Sequence, residues 1–445
     1  MSDILGAQTP TVEQIGMAIE DPSGVFETAP TVYMVLGGEA TPKPAKPSTK
    51  RRTSGNLDPV LPYRGPETYS MPLETLPLVD GNGLGELLLM TMGADDTDQL
   101  GASAAYEHSF SRQDLIKTAT IWLHNPVQDS KIRLCSVDSW ALELTKDGDV
   151  KNRFEIKGAN LEDCSDFGSP SYIDQAAARP QQLSSFQARL EFGEPGAVIR
   201  DTWENFKLDM KRNIVFGRNA KDGGHPAGSS SPQMVVSGNV DTEVTLAFLA
   251  TNWAEVRRWR QGVDTLPTAV RQTDAPGLNK IRISVYGNVI ADGLNIEPDI
   301  NNAGTTTATI QGTYSGATTL TLWEIKIKQG TPDQYAWRKT IGGVWTDWAA
   351  WANITAGPDT LSDGVTVTFS STTNGLDGDR FYAASHYRRM LRATLPTMVF
   401  DDLGWDKSDD FRRKTAKLYH TSGPSDDFAN KPSVDVWNTK TGAYA

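Results

Sequence analysis

A chain of 445 residues with a hydrophobic fraction of 38% and a mean hydropathy of −0.41 is long enough for two or three domains, and its 12 Trp and 12 Tyr exclude a disordered polymer. The net charge of −12 excludes a general nucleic-acid binder, because affinity for phosphates comes from Lys and Arg displacing counterions. With only Cys135 and Cys164, no secretory signal pattern at the start and no apolar run near the roughly 20 residues of a membrane helix, the expectation is a soluble protein made in a reducing cytosol, its thiols free.

In chain order, the first predicted element is a strand over Thr31 to Leu36. The stretch "GGEATPKPAKPSTKRRTSGN" follows, whose prolines forbid a helix and whose Gly and Lys predict an extended, exposed arm. Its charges Lys43, Lys46, Lys50, Arg51 and Arg52 stand out on an acidic chain, and they suit docking on an acidic face of another copy. "NGLGELLLMTMG" from Asn82 predicts a short buried helix, "GADDTDQLGASA" is turn chemistry, and Ala105 to Phe110 and Thr118 to His124 alternate as strands.

"SWALELTKDGDVKNRFEIKGAN", residues 139–160, carries Trp140, Leu142, Leu144, Val150, Phe154 and Ile156 in one phase and Glu143, Lys151, Arg153, Glu155 and Lys157 in the other. Side chains alternate faces along a strand, so this is a hairpin turning at Lys146–Asp149, apolar on one side and hydrated on the other. One hairpin does not hold itself folded in water, so it must belong to something larger. "WENFKLDMKRNIVFG" repeats the pattern, with Phe206, Leu208 and Met210 set against Lys207, Asp209 and Lys211, and "QMVVSGNVDTEVTLAFL" does so again. "MVVSGNV" stands where "FEIKGAN" stood in the first set, which suggests an internal duplication. "TNWAEVRRWRQG" from Thr251 reads as a helix, and "NKIRISVYGNVI" from Asn279 as a strand.

Near Asn301 the composition turns Thr- and Gly-rich, with turn signals about every 8 to 12 residues, the signature of a small β-sandwich over 301–385. "RRMLRATLPTMVFDD" from Arg388 returns to the earlier style, so the sandwich reads as an insertion between a body over 1–300 and its continuation over 386–422. Residues 423–445 read as a tail without a core of their own. Of the sandwich's aromatics, Trp323 and Trp337 fall in strand-like runs and suit its core, whereas Trp345 and Trp348 are the surface candidates.

No pattern of enzyme chemistry emerges. The histidines, His108, His124, His225, His386 and His420, are scattered singly, and "GTYSG" has its serine one position late for a nucleophile elbow. Asp95, Asp96 and Asp98 lack the alternation and closing Glu of a calcium loop, and "GGHPAGSSS" around His225 lacks the Lys of a phosphate loop. Neither an enzyme nor a cofactor or metal is expected.

The order of "TLPLVDGNGLGELLLMTMGA", "AYEHSF", "TATIWLHN", "CSVDSWALELTKDGDVKNRFEIKGAN", "NFKLDMKRNIVFGRNA", "VVSGNVDTEVTL" and "LRATLPTMVF" resembles phage tail tube proteins of long-tailed phages. The inserted stretch, notably "GVTVTFSSTTNGLDGDRF", looks like the Ig-like β-sandwich decorations of phage structural proteins. The resemblance implies a mainly β fold, two related tail-tube-type sheet units with short helices plus the inserted sandwich, outside the tube. It also implies that a lone chain leaves its sheets unclosed, and that rings of copies complete a barrel around a channel for DNA.

On that resemblance, Glu143, Lys151, Arg153, Glu155, Lys157, Lys207, Asp209 and Lys211 face the lumen as a wall of mixed sign, while the basic arm and the tail join stacked rings. Two units per chain imply trimeric rings of pseudo-sixfold symmetry, with hexamers as the alternative. The implied partners are further copies, tape-measure and terminator proteins, and passing double-stranded DNA that is not specifically bound. No membrane is involved, and the implied location is the virion tail. The competing reading is a receptor- or glycan-binding tail protein that works through the sandwich.

Overall fold

The computed structural model describes residues 14–21, 25–34, 40, 42–45, 48–51, 61–64, 68–124, 128–145, 147–148, 150–165, 167, 182–193, 203–217, 234–249, 278–300, 302–316, 320–341, 343–405, 413–421 and 431–444. Among the described residues strand makes up 62% and there is one α-helix, so the fold is mainly β.

The first half contributes β1 (Gln14–Glu20), β2 (Val32–Met34), β3 (Lys43–Ala45), β4 (Ser48–Arg51), β5 (Leu61–Arg64) and β6 (Thr68–Thr75). Helix α1 (Leu84–Met92) leads into β7 (Gly93–Gln99), β8 (Tyr106–Arg112), β9 (Thr118–His124), and the long hairpin of β10 (Ser130–Thr145) and β11 (Val150–Asp163). Next come β12 (Ala188–Gly193), β13 (Trp203–Lys211), β14 (Val215–Gly217), β15 (Met234–Val236), β16 (Asp241–Leu249) and β17 (Leu278–Pro298). The inserted region supplies β18 (Ala308–Gly312), β19 (Leu322–Lys328), β20 (Gln334–Ile341), β21 (Val344–Trp345), β22 (Ala352–Asn353), β23 (Asp359–Thr360) and β24 (Val365–Phe369). The chain closes with β25 (Arg380–Trp405), β26 (Arg413–His420) and β27 (Ser433–Asn438).

One connected system of antiparallel ladders wraps as a barrel, most of it around one large apolar core. Its main course runs β6–β11–β10–β13–β16–β26–β25–β17–β12. The two long strands fork alike. β10 lies along β11 on one edge and divides its other edge between β9 and β13. β25 lies along β17 and divides its other edge among β19, β27 and β26.

The apolar phase read from residues 139–160 points inward as expected, with Trp140, Leu142, Leu144, Phe154 and Ile156 all buried. Lone-chain sheets left unclosed are not what the fold shows. The sheet curls over its own apolar face, because leaving that face wet would forfeit about 25 cal/mol per Å² of burial. The enclosed space is packed core, and the charged phase lies on the outside.

Other expectations are corrected. "GADDTDQ" is a strand, paired along its length with β8. The segment expected as a tail contributes β27, which sits between β25 and β8, and its Tyr444 packs beside His108 and Phe110. That ring explains Gly85 inside α1: a Cβ there would lie 2.0 Å from Tyr444, so the usual helical advantage of Ala is forfeited. "MVVSGNV" does not occupy the place of "FEIKGAN", since among the described residues β15 pairs with β14 in a small ribbon and with no other strand. Part of the arm expected as loop forms β3 against β6, and β4 pairs with β5. The helix expected from Thr251 and the loop around His225 lie outside the described residues.

Arg212 ties β13 to the helix. Its guanidinium donates to the Met90 and Thr91 carbonyls at the end of α1, at 3.3 and 3.0 Å, and to Gln113 O at 2.6 Å. A cation at that helix terminus meets the negative end of the macrodipole, though burial draws its pKa down to about 10.

The inserted region is a two-sheet sandwich, β18–β24–β23 over β19–β20–β22, with its own core of Trp323, Ile325, Val367 and Phe369. That core includes Phe381 and Ala383 of β25 and packs on Leu294 and Ile296 of β17. Sandwich and body therefore share two continuous strands. Both cysteines are free thiols.

Candidate functional site

The register brings most of the expected wall residues onto one outward face. Glu143 on β10 stands opposite Lys151 on β11 and Lys207 on β13, and Lys207 stands opposite Thr245 on β16. Asp209 is level with Glu243, Lys211 with Asp241, and Arg153 with Glu74 on β6. This follows from the period of two: once the even positions of β10, β11, β13 and β16 and the odd positions of β6 enter the core, the alternate positions of these five strands share the other side.

The charges on this face are largely paired. Arg153 donates to Glu74 at 2.8 Å and to Glu143 at 3.0 Å, while Lys207 lies 3.0 Å from Asp209 and 3.6 Å from Glu143. Lys157 pairs with Asp138 at 2.9 Å, and Glu155 accepts from the Ser70 hydroxyl. The hydrogen bond to Glu74 raises the Arg153 pKa, and that to Asp209 raises the Lys207 pKa. The Arg153 and Lys207 side chains remain 46% and 43% exposed, so these pairs hold sign and position more than they hold the fold. The result is a hydrated wall of alternating sign.

Comparison of the sequence with known protein families and with characterised proteins finds no match.

The remaining expected site residues do not gather with this face. Lys43 is exposed on β3, Lys50 and Arg51 fall in β4, and Lys46 and Arg52 lie outside the described residues. In the sandwich Trp323 is fully buried and Trp337 half-buried; Trp345 is exposed and Trp348 half-buried. Asp95 accepts from the Tyr444 backbone N–H at 2.7 Å, a structural role. Among the described residues no group of three or more His, Cys, Asp or Glu is arranged to hold a metal, and no helix is long and apolar enough to cross a membrane.

Sequence reasoning missed a second charged cluster, on the outward face of β12, β17 and β25. Arg189 lies 2.8 Å from Glu191 and 2.9 Å from Glu297; Arg392 lies 2.6 Å from Glu297, and Arg282 pairs with Glu191. Burial alone would push Glu297 up, but Arg392, Arg189 and Arg282 outweigh it and hold the carboxyl at about 2. The available signal was the alternation of Arg282, Ser284 and Tyr286 with Ile281, Ile283 and Val285.

Proposed function

We propose that the protein is a structural subunit that assembles with copies of itself into stacked rings, a tail tube of the virion whose charged outward face borders a bore for double-stranded DNA. The observation that carries this reading is a repeat of strand order. β6–β11–β10–β13 and β16–β26–β25–β17 are four-stranded antiparallel units side by side in one sheet. In each, the first three strands lie in the chain order first, third, second, and corresponding strands run in the same direction. A shift by four strands maps the first three strands of one unit on those of the other, while the fourth strands, β13 after β11 and β17 before β25, join at different points of the chain. A three-strand repeat of this kind is the relation that rotation about a tube axis produces.

Two units per chain support a three-chain ring of pseudo-sixfold symmetry, with a six-chain ring as the alternative. The paired wall supports passage without capture, since a net basic lining would hold phosphates through counterion release. For stacking, exposed Val215 follows Ile214, which donates to Asp138 midway along β10, exposed Leu115 lies near Gln113, which accepts from Arg212, and exposed Phe186 lies against Gly148 just beyond the Thr145 end of β10. Tape-measure and terminator proteins are the further partners this reading brings.

Electron microscopy and native mass spectrometry across a concentration series provide the test. Rings or tubes built from three-chain units are the expected result. Monomers persisting at the highest concentration overturn the reading. Should the monomers instead bind polysaccharide, the receptor- or glycan-binding alternative takes its place.

A further inference from the structure

Along the outer face of the sandwich, aromatic rings and cations interleave. Trp345, Trp348 and Trp351 recur every third residue on a connection that is mostly without strand pairing, a spacing that keeps side chains on one side of an extended, threefold backbone. The Arg338 guanidinium lies 4.8 Å from the rings of both Trp345 and Trp348, and the Lys326 ammonium lies 3.9 Å from Trp348 and 5.0 Å from Trp351. Lys328 continues the series 5.9 Å from Trp351. The order is ring, cation, ring, cation, ring. A purely structural ladder would bury its rings, yet Trp345 and Trp351 remain 39% and 41% exposed.

The cations differ in how they are neutralised. Arg338 pairs with Glu324, which Arg380 also holds at 2.6 Å. Among the described residues Lys326 and Lys328 have no carboxylate within ion-pair distance. Desolvation, with the neighbouring Arg380 and Arg338, lowers the Lys326 pKa.

The ladder ends on the wall of a cavity of about 670 Å³ between sandwich and body, lined by Trp345, Arg338, Tyr286 and Arg388 and by Glu297 and Glu324, both already held by arginines. Arg388 is buried there. It donates to Gly287 O at 3.2 Å and Gln187 Oε1 at 2.8 Å, and its guanidinium lies 4.7 Å from the Tyr286 ring. Among the described residues no carboxylate pairs with it. A buried cation with neutral partners only, on the wall of a cavity within the roughly 300–1,000 Å³ of ligand sites, is arranged for an anion from outside.

We infer that the ladder and this cavity form one binding site for a linear acidic oligosaccharide. The apolar faces of its sugar rings lie on Trp345 and Trp351, its anionic groups meet Lys326 and Lys328, and one anionic group enters the cavity onto Arg388. Stacking fixes the ring while the cations select charge. Single-stranded nucleic acid shares stacking and charge, but the protein's net charge of −12 opposes a polyphosphate. The site does not depend on ring assembly.

The test uses the full chain, with tryptophan fluorescence and calorimetry following titration by oligogalacturonate, a sulfated heparin oligosaccharide, neutral maltohexaose and an oligo-dT strand. Saturable binding of one or both acidic sugars is expected, with maltohexaose and oligo-dT at least about tenfold weaker. The two acidic arms tell a carboxylate from a sulfate. K328Q and K326Q, on exposed and half-exposed groups, each weaken binding by about fivefold, and R388Q by about tenfold or more. Melting curves separate that loss from misfolding of R388Q. Equal binding of maltohexaose or oligo-dT, no saturation by either acidic sugar up to about 10 mM, or unchanged affinity in K326Q and K328Q overturns the inference. Ring formation, read by microscopy on the same preparation, is scored separately.

Discussion

The two charged clusters are built from the same side chains on the same side of the ladder system, and they differ in what covers them. Around Glu143 the face is open, with Arg153 and Lys207 nearly half in water. Around Glu297 the root of the sandwich folds over it: Ile300 donates its N–H to Glu191, Arg282 donates to Pro298 O, and Tyr382 lies 4.0 Å from the Arg189 guanidinium. Charge pairs in water are interchangeable and cheap to lose, whereas pairs taken out of water commit every member to every other. Alternation therefore builds two different devices, a hydrated wall and an ionic joint.

The largest contrast should come from breaking the joint. E297Q leaves Arg392 and Arg189 buried without their shared carboxylate, and we expect a loss of about 3–5 kcal/mol in chemical denaturation. The joint also predicts a pH dependence. Because the Glu297 pKa lies below its ordinary 4.5, its contribution is complete above that value and is lost as the pH falls toward about 2; stability should fall over that window, and E297Q should flatten the fall.

R212M, which strips the helix-end carbonyls of their donor, should cost about 1–3 kcal/mol by the same assay. G85A should cost a similar amount, about 1–3 kcal/mol, by displacing Tyr444, although Ala is the better helix former. On the open wall, R153A and K207A should each change stability by less than about 1 kcal/mol, and less still at high salt. Should R153A prove as costly as E297Q, the contrast between wall and joint fails.

Most of the wall was legible in the sequence because its signal is local: β10, β11, β13 and β16 each carry the period of two, and core burial alone sets their phase. β7 was not legible. Its Asp95, Asp96 and Asp98 have the composition of a turn, and only the ladder to β8 and the approach of Tyr444, some 349 positions away, make it a strand. β27 was hidden for the same reason, since "SVDVWN" has short alternation and gains its core from β8 and β25. The ionic joint draws on Arg189, Arg282, Glu297 and Arg392, which no spacing rule connects. Trp345 was read as a surface residue, but the cations beside it sit on other strands and surface only in the fold.

The two strands that run unbroken from body into sandwich leave no hinge between them. β17 and β25 stay paired from Leu278 and Val399 to Pro298 and Phe381, with bulges but no gap. Tilting the sandwich would shear a ladder of hydrogen bonds and the ionic joint at its root together, so a pull on its tip is transmitted to the body as if through a cantilever. Every copy must then hold its sandwich at one fixed angle, which makes the projection a rigid bracket and rules out a tethered flag.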